Sequence, residues 1–302
     1  MPPMQTASDP GFRAPGLAVL LSLVSVTFGA SLAKGIFPLV GPIGTTTLRL
    51  CLAALILVVV MRSWRVRPDA AGWRAALAYG LVMAAMNMLF YLAIERIPLG
   101  IAITLEFTGP LTVAVLHSRH RRDLLWVACA VVGILLLVPR PAPGQSVALA
   151  GVAFALGAGV MWGLYILVGK RVGAALGNQG AAFGLLIGAV LVLPAGLLLE
   201  PRLHPASLQV LPLLPLLGTA LAVAVFSSAL PYTLEMYGLR HIPARSFGIL
   251  MSGEPAIGAL MGLMLLGERL SLSQWLGIAA VITASVGTTL GERRPEPPQP
   301  LT

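Results

Sequence analysis

The sequence predicts an all-α membrane protein with ten transmembrane helices in two inverted five-helix repeats and both termini in the cytoplasm. Three observations predict it: an apolar composition, apolar runs that recur at about the thickness of a bilayer, and a one-sided distribution of Lys and Arg. Of the 302 residues, 57% are hydrophobic and 10% charged, with a mean hydropathy of +0.90, against roughly 25% charged residues in an average soluble domain. A soluble fold has too little interior to hide so much apolar surface.

A helix crosses a bilayer with about 20 mostly apolar residues, and the runs of that kind can be placed in order along the chain. The first, 16–36, follows Arg13 and closes beside Lys34, and the second, 43–61, stops at the basic joint Arg62, Arg65, Arg67 and Arg74. The third, 75–94, ends before Arg96, and the fourth, 98–117, before Arg119, Arg121 and Arg122. The fifth, 124–139, runs up to Arg140, and the sixth, 147–168, up to Lys170 and Arg171. The seventh, 181–199, precedes Arg202, the eighth, 212–238, precedes Arg240 and Arg245, the ninth, 246–266, precedes Arg269, and the tenth, 273–290, precedes Arg293 and Arg294.

With the N-terminus inside, the cytoplasmic segments hold 14 Lys and Arg residues and the opposite side five, namely Lys34, Arg96, Arg140, Arg202 and Arg269. The positive-inside rule therefore puts both termini in the cytoplasm, as an even number of spans requires. The net charge of +9 is spread over these short joints. It forms no continuous basic stripe, so it points to a bilayer and not to nucleic acid. Arg13 followed by an apolar run and Ala30, Ser31 and Ala33 resembles a secretory signal, but removing that run would leave nine spans, so it is kept as the first helix. Residues 1–15 are expected to be a cytoplasmic segment. Residues 292–302, with Pro295, Pro297, Pro298 and Pro300, are expected to be a disordered cytoplasmic tail. Cys51 and Cys129 fall in different spans and read as small packing residues, with no disulfide or metal-ligand pattern.

Ile97, Pro98, Leu105 and Pro110 recur as Ile242, Pro243, Leu250 and Pro255, at an offset of 145 residues, close to half the chain. The two windows open the fourth and ninth spans, the same place in each half, so residues 16–140 and 141–291 read as two repeats. Five spans is an odd number, so the second copy inserts upside down. This is the inverted repeat by which carriers expose one central site to each side in turn. Phe28, Gly29 and Lys34 have a looser echo in Trp162, Gly163 and Lys170.

This organisation looks like the drug/metabolite transporter superfamily in its EamA-type branch. Several phrases resemble the threonine/homoserine exporters more specifically: GASLAK at Gly29–Lys34, FPLVG at Phe37–Gly41, PLGIA at Pro98–Ala102, LEFTGPL at Leu105–Leu111, ALPY at Ala229–Tyr232 and LEM at Leu234–Met236. The resemblance spans essentially the whole chain. It implies a multi-pass protein of the bacterial inner membrane that exports small amino acids such as threonine and homoserine, driven by protons. Related exporters in the superfamily take aromatic or mixed amino acids or other metabolites, so the resemblance also admits those substrates and facilitated diffusion.

Ionisable groups inside a span cost roughly 2.5–3.5 kcal/mol each on insertion scales, so they face a partner or a watery cavity. Arg49 lies in the second span, Glu106 in the middle of the fourth, Glu235 towards the cytoplasmic end of the eighth and Glu254 in the middle of the ninth. In one reading Glu106 or Glu254 takes up a proton as substrate leaves. In the other, Arg49 and Glu106 form a static ion pair. Glu235 reads as a gate or helix-end contact, and Lys34 as a side chain that snorkels to the interface.

Gly109 with Pro110, and Gly253 and Glu254 with Pro255, disrupt the fourth and ninth spans at mid-depth, because proline removes a backbone donor and frees a carbonyl. Such breaks are tolerated where they line a cavity. The freed carbonyls are candidates for a substrate ammonium, and Thr108, Ser252 or a helix N-terminus for its carboxylate. Asn87 and Tyr91 share a helix face, as do Ser228 and Tyr232, while Trp162 and Tyr165 offer an aromatic wall. Glycine pairs four residues apart, such as Gly159 with Gly163 and Gly258 with Gly262, permit close helix approach.

An intramembrane enzyme is disfavoured. His117, His120, His204 and His241 lie in joints or at span ends, and there is no HExxH, GxSG or GxGD pattern. A channel needs no inverted repeat and would show rings of like groups. No cofactor is expected.

Overall fold

The computed structural model describes residues 10–117, 123–137, 147–177, 179–203, 213–241 and 250–291. Every regular element among them is helical. The elements are α1 (Pro10–Gly35), α2 (Phe37–Met61), α3 (Ala70–Ile94), α4 (Leu99–Glu106), α5 (Thr108–His117), α6 (Asp123–Leu137), α7 (Val147–Leu176), α8 (Gln179–Leu199), α9 (Leu213–Ala224), α10 (Leu230–His241), α11 (Glu254–Leu266) and α12 (Leu272–Gly291). A π-helical turn, Val225–Ala229, joins α9 to α10. Among the described residues, six helical runs are long and apolar enough to cross a membrane, and four shorter apolar helices, Leu99–Val113, Leu125–Leu137, Glu254–Leu266 and Leu272–Gly287, accompany them. The expected cytoplasmic tail 292–302, most of the segment 1–15, and the repeat residues Ile242 and Pro243 lie outside the described residues.

Local chemistry sets the boundaries. Asp69 caps α3 by accepting the Gly72 N–H at 2.7 Å, so that helix starts five residues before the apolar run. The helix α2 also starts earlier than its apolar run and carries a break at Gly41, whose φ of 66° and ψ of 170° are closed to residues with a Cβ. The Glu200 carboxylate lies against that break. The fourth expected span is interrupted at Phe107 and divides into α4 and α5, and Ser252 and Gly253 form a turn before α11. Both interruptions fall just before the proline, because Pro110 and Pro255 sit in the first turn of the next helix, where a missing N–H costs nothing.

Outward faces are apolar and bare: Leu214 is 85% exposed, Leu198 78% and Met264 76%. Side chains of this kind suit lipid and not water. The interior packing pairs elements from the two halves of the chain. The helix α2 packs on α8, α4 on α11 and α6 on α12, while α3 packs on α7 and α1 on α10. Small residues allow these seams to close. A Cβ built on Gly100 would lie 2.5 Å from Cα of Ala259, and one built on Gly133 would lie 2.9 Å from the Gly277 carbonyl. The glycine pair Gly159 and Gly163 faces α5.

Candidate substrate cavity

One end of the bundle is tied across the two halves. There α1 ends at Gly35, α3 gives way to α4, and the turn after α11 crosses both. Lys34 Nζ donates to Glu268 Oε1 at 2.5 Å, and the other oxygen of Glu268 accepts the Leu99 N–H at 2.7 Å. One carboxylate thus neutralises a lysine and caps the N-terminus of α4. Lys34, expected to snorkel, is partly buried in this contact instead. Nearby, Arg202 donates to the Phe37 carbonyl at 2.9 Å.

Residues from both halves of the chain line a cavity of about 120 Å³. Its walls come from α1, α2, α3, α4, α7, α10, the π turn and the residues around the start of α11. Seven residues singled out in the sequence line it: Arg49, Asn87, Glu106, Trp162, Tyr165, Glu235 and Glu254. Glu106 closes α4 and Glu254 opens α11, so the two interruptions bring both carboxylates to one chamber.

Arg49 is 5% exposed and held from behind. Its Nη1 donates to the Tyr91 hydroxyl at 3.0 Å, Nη2 donates to Asn87 Oδ1, and the guanidinium carbon stands 5.1 Å from the centre of the Tyr91 ring. Asn87 is fixed in turn, donating through Nδ2 to the Met83 carbonyl at 2.8 Å. Tyr91 is fully buried, so it positions Arg49 and does not reach the chamber. The static Arg49–Glu106 ion pair is not formed. Among the described residues the salt bridges are Lys34–Glu268, Arg96–Glu95 and Arg202–Glu200. Glu106 nevertheless lies within electrostatic reach of both Arg49 and Glu254, and Glu254 within reach of Glu235. Three acids and one base therefore share the chamber, and they do not gather as a metal-ligand set.

Other expectations resolve differently. Thr108 turns its hydroxyl to the Leu105 carbonyl at 2.6 Å, Ser252 is hydrogen-bonded to Ser285 at 2.8 Å, and neither lines the chamber. The carbonyl of Glu106, which Pro110 leaves without its helical donor, faces Gly159, where a Cβ would stand 2.8 Å away. Ser228 is buried with its hydroxyl unpartnered, whereas its neighbour Ser227 lines the cavity. Both serines lie within the π turn, whose wider winding takes their side chains off the 3.6-residue register. The side chain of Tyr232 lies outside the described residues. Glu235, expected as a gate or helix-end contact, stands on the cavity wall against Ser22.

Trp162 meets Phe107 edge-on at 5.6 Å and Tyr165 stacks on Tyr79 at 4.8 Å, so the aromatic wall is itself packed from outside. Sequence reasoning missed Thr27, Ser227, Met86, Phe90 and Met251. For Thr27 a signal existed in the polar positions Ser22, Ser25, Thr27 and Ser31 along α1. Ser25 donates across to the Phe226 carbonyl at 2.7 Å, and Gly29 leaves room for the Ser227 backbone.

Residues 149–290 match the EamA-like transporter family. Over 280 residues the chain is 47% identical to the threonine/homoserine exporter RhtA of Salmonella typhimurium, covering 93% of this chain and 92% of the relative. It is 46% identical over 282 residues to RhtA of Escherichia coli, with the same coverage. An uncharacterised transporter of Bacillus subtilis, YwfM, is 28% identical over 238 residues, 76% of this chain and 77% of the relative. A solved crystal structure shares the fold with a TM-score of 0.59 at 18% identity, over 91% of this chain and 96% of its own. The all-helical architecture, the apolar spans and near-full-length identity to these exporters agree, and the chain belongs to the EamA-like transporter family of multi-pass membrane proteins.

Proposed function

We propose that the chain exports small amino acids of the threonine and homoserine kind from the cytoplasm across a bacterial inner membrane. The chamber between the two halves serves as the alternating-access site. The observation that carries this reading is the chamber lined by Arg49, Glu106, Glu235 and Glu254, in a chain 47% identical to a threonine/homoserine exporter.

Ten spans in two inverted repeats, 16–140 and 141–291, give the mechanism its symmetry. The packing supports that reading, since a twofold axis pairs each helix with its counterpart or exchanges two such pairs, as α2 with α8, α4 with α11 and α6 with α12 do. Thr47 approaches the Val192 carbonyl at 3.5 Å, 145 residues away, as residues near such an axis must. Breakage of the Lys34–Glu268 closure then opens the chamber to the opposite side, and both termini stay in the cytoplasm.

Protons drive export in this reading. Three carboxylates around one guanidinium leave negative charge to spare, and a proton taken up by Glu106 or Glu254 replaces the substrate as it departs. Proteoliposomes loaded with labelled threonine or homoserine test the proposal. Saturable efflux, faster with an acidic exterior, is expected; intact efflux indifferent to the gradient removes proton coupling, and absence of efflux for a panel of amino acids removes the function.

A further inference from the structure

The geometry points to a dipolar recognition site in the chamber, in which Arg49 takes the α-carboxylate and Glu254 the α-ammonium of one amino acid. This inference rests on the export reading and names the groups that the site reads. Two buried polar atoms carry it. Nε of Arg49 and Oε2 of Glu254 each have no hydrogen-bond partner, in residues 5% and 9% exposed that both line the chamber. Leaving a buried charged group unpaired is costly, and here both costs are removed by the same ligand.

The two unpartnered groups differ in sign and in support. Asn87 and Tyr91 bind the terminal nitrogens of Arg49 and the Tyr91 ring flanks the guanidinium, so its orientation is set before substrate arrives. A fixed guanidinium edge matches a planar carboxylate with two parallel N–H bonds. Glu254 is the first residue of α11, where the helix dipole favours a carboxylate, and a carboxylate only accepts, which suits an ammonium. A free amino acid carries both complementary charges on substituents of one carbon atom and no net charge, so it satisfies both without unbalancing the chamber. Amines lacking a carboxylate, and acids with a blocked amine, satisfy one and strand the other.

Binding to the full-length purified protein in lipid nanodiscs tests this, with labelled L-threonine displaced by L-threonine, L-threoninamide or N-acetyl-L-threonine. Each blocked compound is expected to compete about 100-fold more weakly than threonine on the unaltered protein, as loss of a charge-assisted contact at a desolvated site implies. Arg49→Gln is expected to weaken threonine by a similar factor and to abolish discrimination against the amide alone. Glu254→Gln is expected to abolish discrimination against the N-acetyl compound alone. Equal competition by all three compounds on the unaltered protein overturns the inference while leaving export standing, and needs no variant to fold. An unchanged threonine-to-threoninamide ratio in folded Arg49→Gln overturns it too. If no free amino acid binds or is transported, the export reading falls, and this inference with it.

Discussion

Two glutamates beside helix starts make opposite use of them. Glu268 caps α4 with every demand met: one oxygen holds Lys34 at 2.5 Å and the other holds the Leu99 N–H at 2.7 Å. Glu254 opens α11 and is more deeply buried, yet its Oε2 has no partner. The first arrangement is what a stable closed end requires. The second is unfavourable for the empty protein and becomes favourable only when something enters the chamber. The comparison separates charge that holds the fold from charge that waits for a ligand, and it predicts that the two residues respond oppositely to neutralisation.

The largest expected effect follows directly. Glu254→Gln should cut threonine efflux from proteoliposomes by about 100-fold or more, the scale of a lost charge-assisted contact. It should leave thermal stability unchanged or raised, since Oε2 has no partner to lose. Glu268→Ala should do the reverse to stability, costing about 2–3 kcal/mol because it strands Lys34 and the Leu99 N–H together; detergent-solubilised melting curves measure it. A melting temperature that falls with Glu254→Gln and holds with Glu268→Ala would erase the distinction.

Gly100→Leu addresses the seam between these two regions. Its Cβ would meet backbone of Ala259, which cannot give way as a side chain can, so a loss of about 1–3 kcal/mol is expected. A double-mutant cycle of Lys34→Met and Glu268→Gln sharpens the closed end further. Coupling of about 1 kcal/mol in melting free energy is expected for this partly exposed pair, and none would mean the two side chains act separately.

The smallest effects concern adjacent serines. Ser228→Ala removes a hydroxyl that has no partner and should change stability by less than about 1 kcal/mol, in the stabilising direction. Ser227→Ala alters the chamber wall and should shift the threonine KM while Ser228→Ala does not. Equal KM values for both would mean that the π turn does not set the register that places Ser227 there.

Several of the cavity residues were legible because the membrane makes them conspicuous. An ionisable group inside an apolar run is expensive wherever it falls, so Arg49, Glu106 and Glu254 stand out before any fold is known. Asn87 and Trp162 follow from helical spacing alone, since α3 and α7 are regular where those residues occur. Thr108 and Ser252 do not line the chamber, and their hydroxyls are bonded elsewhere. Thr108 bonds the Leu105 carbonyl, and Ser252 bonds Ser285. Glu268 passed unnoticed because a charged residue in a short joint normally faces water, and only the approach of α1 and α4 turns it into an interior contact.

What the sequence determined by itself was the solvent of this protein and its broad architecture. Composition and run length are set residue by residue, so an all-helical membrane protein can be read from them without knowing any contact. The tertiary structure decided which polar groups are satisfied and which are left over. That depends on distances between atoms far apart in the chain: Arg49 is held by Asn87 and Tyr91, 38 and 42 residues on, and Glu268 by Lys34, 234 residues before it. The π turn that exchanges Ser228 for Ser227 belongs to the same class, for it changes the helical period itself, and any reading of faces from sequence has to assume that period.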